Sequence, residues 1–307
     1  MKITKPLVSI GLLSYNRSKY LLESIKSLRA QSYKNLEIII SDDASTDDSK
    51  KIILKFAKID NRIKTFFHKR NLGLVSNSNF VLQKAKGKYF VWASNDDLWH
   101  KDFIKILVTS LESDKTAVLA VPDYVLFRKE IKVVERLPLP KKLADYSLIK
   151  TYILKRPLLV WGLFRTKEMK EVGGFYQDNR PIYGGSDNIT IFRLLFKGSL
   201  VHIKKPLFYK RDSGYAMIPN KILENLDFSN DIKHRIVRYL TYPLMFLLDS
   251  IYFLKKITKS KFTQLQKITL VLLTLRYLLI VNIELLIKSL KGIKAVARGL
   301  TKKHSNL

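Results

Sequence analysis

The residues best suited to chemistry stand in small polar clusters, each directly after a short apolar run. Asp96 and Asp97 follow "YFVWASN". Adjacent carboxylates are hard oxygen ligands that suit Mg2+ or Mn2+, and such ions take substrate phosphates as further ligands. A cation bridging a diphosphate stabilises charge developing on a leaving group. The same pair also suits a plain turn before a helix starting near Asp102. Asp42 and Asp43 follow "LEIIIS". Either can accept from a base N–H or a ribose hydroxyl, or simply shape the turn "DDASTDD". Tyr15 and Asn16 follow "VSIGLLS", and the Tyr15 ring suits stacking on a base as well as a half-buried core position. A further carboxylate, Asp187, stands after Gly184-Gly185-Ser186 at the start of a helical pattern. It can act as a general base toward a hydroxyl or as a partner of the helix dipole.

The elements that must position these clusters are readable from periodicity. Val8–Ser14, Leu36–Ser41, Ile63–Phe67, Tyr89–Ala93 and Ala117–Val121 are short, apolar and β-rich, which predicts buried strands. Between them apolar residues recur at helical spacing: Tyr20, Leu21, Ile25 and Leu28, then Ile52, Ile53 and Phe56, then Val75–Ala85 and Phe103–Leu111. This β-α-β-α order predicts an α/β fold, a mostly parallel sheet with helices on both faces. Ligands in such sheets bind outside the carboxyl ends of the strands, so the clusters at three strand ends are expected to share one crevice. Beyond Val121, "LPLPKK" at 137–142 reads as an irregular loop. A strand carrying Trp161, a Gly173-Gly174 turn and a helix burying Ile191, Leu194 and Leu195 are expected after it.

The 307 residues, 47% hydrophobic, are enough for one large domain or two small ones. The absence of cysteine excludes disulfides and cysteine-based zinc sites. Met-Lys-Ile-Thr-Lys-Pro at the N-terminus lacks the apolar stretch and cleavage site of a signal peptide. With 56 Lys+Arg against 26 Asp+Glu the formal net charge is +30. Such a field favours polyanions: nucleic acid, anionic lipid or phosphorylated substrates. Lysine enrichment at bland surface positions, as in AT-rich genomes, accounts for part of it. From Lys233 to Leu307 there are 15 Lys+Arg and two acids, Asp249 and Glu284, beside the apolar blocks 240–254 and 268–287. The second block has spanning length, about 20 residues, but Arg276, Asn282 and Glu284 interrupt it. A mid-span arginine is expensive in lipid. An interfacial amphipathic helix on an anionic membrane surface is therefore expected, with a helical subdomain or dimer contact as the alternative. No nucleic-acid motif accompanies the charge, so no nucleic-acid partner is expected.

Taken together, "VSIGLLSYNRSKYLLESIKSLRAQSYKNLEIIISDDASTDDS" followed by "NLGLVSNSN…AKGKYFVWASNDDLWH" resembles the family-two group of inverting glycosyltransferases with the A-type (GT-A) fold, over roughly Pro6 to Arg211. The resemblance implies that Tyr15 packs on the donor base, with Asn16 beside it. Asp43 would read that base, commonly uracil, and Asp42 is its neighbour. Asn71, Gly73 and Asn79 fit the segment that closes the nucleotide pocket. Asp96 matches the main metal ligand, with Asp97 adjacent. Ser94 or Asn95 stands where many members carry another aspartate; Asn95 remains able to bond a ribose hydroxyl or a metal-bound water. Asp187 matches the catalytic base, with Arg193 six residues on and Ser186 replacing an acid. "PLFYKRD" resembles a closing segment that would bring Arg211 to the diphosphate, with Ser213 near the place of a frequent histidine. The implied activity is Mn2+- or Mg2+-assisted transfer from a nucleotide-diphosphate sugar, UDP-linked, to a hydroxyl of a glycan or lipid-linked oligosaccharide. This places the protein in cell-envelope polysaccharide synthesis, peripheral or monotopic at the cytoplasmic face of the cell membrane. The expected organisation is a catalytic domain at 1–215, split into a nucleotide-binding half (1–122) and an acceptor half (123–215), then a basic membrane-associating tail at 216–307. The departures at Ser94, Asn95 and Ser186 keep open a catalytically weak, membrane-bound scaffold of the same fold, and the charge keeps open a polyanion binder. Oligomeric state is not legible.

Overall fold

The computed structural model describes residues 5–128, 131–140, 142–177, 186–211, 246–280 and 283. The chain divides into two compact units, Met1–Gln177 with Thr190–Ser213, and Asp178–Ile189 with Gly214–Leu307.

The first unit opens with the expected alternation: β1 (Val8–Ser14), α1 (Ser18–Arg29), β2 (Leu36–Asp42), α2 (Ser49–Ala57), β3 (Ile63–Phe67), α3 (Leu74–Lys84) and β4 (Tyr89–Ser94). Next come β5 (Leu98–Trp99), α4 (Phe103–Ser113), β6 (Ala117–Arg128), β7 (Ile131–Glu135), β8 (Lys142–Leu143), α5 (Asp145–Lys155), β9 (Leu163–Arg165) and α6 (Thr166–Glu171). Helix α7 (Ser186–Leu194) and the long β10 (Ser199–Arg211) follow. Strand order along the sheet is β3-β2-β1-β4-β9-β6-β10-β5, with β7 on β6 and β8 on β10. The first four strands are parallel, and β9 runs antiparallel between β4 and β6. The sheet is thus mixed, more so than the alternation alone predicts. Trp161 lies in the turn before β9 rather than on it.

Strand β1 sits between β2 and β4, so the chain leaves it in opposite directions on its two sides. Open α/β sheets bind ligands at such a switch point, outside the carboxyl ends of the strands. Val8, Ile10 and Leu12 are fully buried against Leu21 and Ile25 of α1 and the inner residues of α4. Glu37 is buried among these strands and is satisfied by Ser9 Oγ at 2.6 Å, Lys64 Nζ at 2.5 Å and Lys86 N–H at 2.8 Å. Asp60 ties α1 to the β3 entry through Arg29 and Arg62, both at 2.8 Å.

In the second unit, residues 246–258 and 264–280 are helical and are here α8 and α9. Thr263 and Gln266 bond each other's backbone N–H groups at the start of α9, at 3.1 and 3.3 Å, a capping box. Phe246 and Tyr277 meet edge to face at 6.1 Å. No helix among the described residues is long and apolar enough to cross a membrane. The expectations that rest on Gly184, Gly185, Ser213, Asn282 and Glu284 lie outside the described residues.

The hydrogen bonds and ion pairs at Glu37 and Asp60 hold both carboxyls below their ordinary range despite burial. Lys115 and Lys88 hold Glu112 down at about 2. A depressed carboxyl stabilises the fold above its unfolded pKa and loses that contribution as pH falls through its folded pKa. The thermal midpoint should therefore fall steadily from pH about 4.5 toward about 2. A flat profile across that window in a thermal unfolding series would contradict the assignment.

Candidate active site

The ends of β1, β2 and β4 are neighbours in the sheet, with Ser14 opposite Asp42 and Leu13 opposite Ser94. Their loops are joined by side-chain hydrogen bonds. Asp42 accepts from Ser45 N–H at 2.9 Å and from Ser45 Oγ at 2.6 Å. Ser45 Oγ in turn accepts from Asn16 N–H at 3.0 Å, and Asn16 Oδ1 accepts from Thr46 N–H at 2.8 Å. Asn16 and Ala44 take positive φ, 44° and 63°, which lets both loops turn sharply. Asp47 accepts from Ser18 N–H at 2.8 Å and from Ser49 N–H at 3.0 Å. It thus satisfies orphan donors at the N-termini of α1 and α2 together.

Asp43 is buried and accepts from Leu72 N–H at 2.8 Å and Gly73 N–H at 3.0 Å. Asn71 Oδ1 also accepts from Gly73 N–H, at 2.8 Å. Gly73 has φ +84°, open to glycine. A carboxylate keeps further lone pairs beyond two such bonds, so Asp43 both shapes the 71–73 loop and retains acceptor capacity. Tyr15 is 45% exposed, free to take a planar ring. Tyr15, Asn16, Asp42, Asp43, Asn71 and Gly73 are therefore held on adjoining loops at one end of the sheet.

The acidic turn follows β4. Asn95 and Asp97 are buried, Asp97 to 1% exposure. Asp96 accepts from Ser94 Oγ and pairs with Arg17 at 3.4 Å. Asp97 Oδ1 accepts from Arg211 N–H at 2.8 Å, and its Oδ2 has no hydrogen-bond partner among the described residues. Burial pushes the Asp97 carboxyl up to about 7, with Lys210 opposing and Asp96 adding to the rise. An unpartnered buried oxygen beside a second carboxylate is what a divalent cation relieves. Two carboxylates plus substrate phosphates make a sufficient donor set for Mg2+ or Mn2+. The described residues contain no group of three His, Cys, Asp or Glu placed to hold a metal by themselves, so a cation here would depend on the phosphates.

Arg211, Asn79 and Arg193 have partners that the sequence does not show. The Arg211 guanidinium bonds Asp96 O at 2.8 Å and Glu23 at 2.7 Å and lies over the Tyr20 and Phe127 rings, 4.5 Å from each. Arg211 thus clamps the acidic turn. Asn79 gives both halves of its amide to Phe175, accepting from its N–H at 2.7 Å and donating to its carbonyl at 2.9 Å. It fastens α3 to the Gly173-Gly174 turn, and both glycines there have positive φ. Arg193 lies over the Tyr176 ring at 5.9 Å.

Asp187 lies in the first turn of α7, in the stretch assigned to the second unit. Burial raises its carboxyl above the ordinary value, against backbone hydrogen bonds that lower it. The neighbouring Asn188 donates to Asp249 of α8 at 3.4 Å. Sequence reasoning missed Arg17, Asp47, Lys210 and Asp249. Arg17 and Asp47 carried a signal, since both lie in the loops that end β1 and β2.

Residues 9–200 match the family model described as "Glycosyl transferase family 2". The chain belongs to that family. An uncharacterized glycosyltransferase of Rickettsia conorii is 40% identical over 217 residues, 70% of this chain and 35% of the relative. An uncharacterized glycosyltransferase of Haemophilus influenzae is 37% identical over 131 residues, 42% of this chain and 40% of the relative. The chain thus spans well under half the length of these curated relatives. Among solved structures, S. aureus TarS 1-349 in complex with UDP-GlcNAc shares the fold with a TM-score of 0.65 at 16% identity, covering 88% of this chain and 72% of TarS 1-349. Mannosyltransferase PcManGT from Pyrobaculum calidifontis, in complex with GDP-Man and Mn2+, gives 0.61 at 19% identity, covering 96% and 76%. The fold of this family-2 chain is therefore the GT-A fold.

Asp47→Ala removes an acceptor shared by two helix starts. It should lower stability by about 0.5–2 kcal/mol, the range for losing a side-chain acceptor at a helix start, read as a drop in the thermal midpoint. An unchanged midpoint would show that other groups satisfy those N–H donors.

Proposed function

We propose that this chain transfers a sugar, with inversion, from a nucleotide-diphosphate donor to a hydroxyl of a glycan or lipid-linked oligosaccharide in cell-envelope polysaccharide synthesis. The observation that carries the reading is the acidic turn Asp96-Asp97, with its unpartnered Asp97 oxygen, beside the loops of β1 and β2 in a family-2 chain. Tyr15 packs on the base, Asp43 accepts from it, and UDP is the first candidate. That choice is supported by the UDP-GlcNAc complex of the TarS neighbour. The envelope assignment is supported by a putative teichuronic acid biosynthesis glycosyltransferase, TuaG of Bacillus subtilis. It is 39% identical over 98 residues, 32% of this chain and 39% of the relative.

Asp96 and Asp97 would hold Mn2+ or Mg2+, which when bound supplies positive charge against the diphosphate. Asp187 takes the acceptor hydroxyl proton, and its raised carboxyl makes it a better base than an exposed aspartate. The hydroxyl oxygen forms the new bond at the anomeric carbon while the bond to the diphosphate breaks. The nucleotide diphosphate leaves with the electron pair. Inversion requires attack opposite the leaving group, so a single base is enough. An α-linked donor gives a β-linked product.

A thermal-shift series against UDP, GDP, dTDP and CMP, each with Mn2+ or EDTA, tests the donor site, because a ligand of the native state raises the midpoint. One nucleotide should shift it in a metal-dependent way, and Asp96→Ala and Asp43→Ala should remove the shift. Asp187→Asn should keep the shift and lose transfer by about 10^2–10^4-fold. A shift without any transfer in the parent chain identifies the scaffold. No shift with any nucleotide overturns the donor site.

A further inference from the structure

The outer face of α9 is apolar. Leu265, Ile268, Leu272, Leu275 and Leu279 are between 46 and 75% exposed, and Ile283 is exposed as well. The spacing of three and four residues from Leu265 to Leu279 places these side chains on one stripe, which runs about 21 Å at the α-helical rise. Leu270 and Thr274, on the other side, are fully buried. The helix is thus inverted relative to a helix facing water, with its leucines outward. Leu247 and Ile251 of α8 add further exposed apolar surface. A face of this size on a soluble surface marks an interaction site.

Charge decides the partner. The described residues from 246 to 283 include Lys255, Lys256, Lys259, Lys261, Lys267 and Arg276, against one acid, Asp249, which is fully buried. The spacing also suits a seam between two copies. However, two copies would bring two basic surfaces together with no exposed acid among these residues to pair them. An anionic bilayer accepts the leucines in its acyl boundary and the lysines at its headgroups.

We infer that the outward face of α9, rimmed by the α8–α9 lysines, docks this protein on an anionic lipid bilayer, lying in the interface rather than crossing it. This inference stands independently of the sugar-transfer reading.

Flotation of the full chain with vesicles rich in phosphatidylglycerol, compared with pure phosphatidylcholine, tests it. The chain should float with the anionic vesicles, less so as salt rises. Leu272→Glu with Leu279→Glu should weaken partition by at least about tenfold, as expected for removing two leucines from lipid. Lys255→Gln with Lys259→Gln should weaken it at low salt and flatten the salt dependence. Both pairs are exposed, so any nucleotide-induced thermal shift of the parent should survive in the variants. Absence of such a shift in the parent would bear on the donor site alone. Absence of flotation, equal flotation by the Leu→Glu pair, or a light-scattering dimer that the Leu→Glu pair dissolves would each overturn the membrane assignment, the last in favour of a second copy.

Discussion

Burying a carboxylate without full pairing costs several kcal/mol, because the charge loses its water and gains too little in return. Asp97 bears that cost at the end of β4, with one oxygen on the Arg211 backbone and the other unpartnered. The surrounding structure is arranged about this point. Strand β10 reaches this point and brings the Arg211 N–H group to it. The Arg211 side chain then wedges between Tyr20 of α1 and Phe127 of β6 while holding Asp96 O and Glu23. Residues far apart in sequence are tied to one turn. The oxygen left over there is the one that the proposed function gives to a cation.

The other side of the crevice is held differently. Asp42, Asn16, Ser45 and Asp47 form short local bonds between the loops of β1 and β2. These residues are polar because the strand ends leave backbone donors that must be satisfied. Rigidity of the loops draws on these side chains, and in the proposed donor site recognition of the ligand would draw on them as well. Asp43 shows this directly: it orders the 71–73 loop and keeps lone pairs for a ligand.

The +30 charge has two separable consequences. Near the acidic turn, Arg17 and Lys210 offset carboxylates. Across α8 and α9, Lys255, Lys259, Lys261 and Arg276 are exposed beside exposed leucines. The buried acid of α8, Asp249, instead meets Asn188, next to Asp187. Helix α8 thus contacts the start of α7 within the second unit.

The sequence by itself determined the strand and helix alternation, because burial periodicity is a local property of the chain. It also determined which residues would stand at the strand ends, since polar clusters interrupt apolar runs there. Asp42, Asp43, Asp96 and Asp97 were legible for that reason. Only the tertiary structure decided the partners. Arg17 meets Asp96 across 79 residues and Arg211 meets Asp97 across 114, and such pairings depend on strand order, which no local pattern encodes. The inward clamp of Arg211 and the grip of Asn79 on Phe175 belong to the same class. In α9 the apolar residues run nearly all round the helix, so composition announced a greasy segment without saying which side faces out. Packing buried Leu270 and Thr274 and left Leu272 and Leu279 outside, because a helix can bury only the face its neighbour covers.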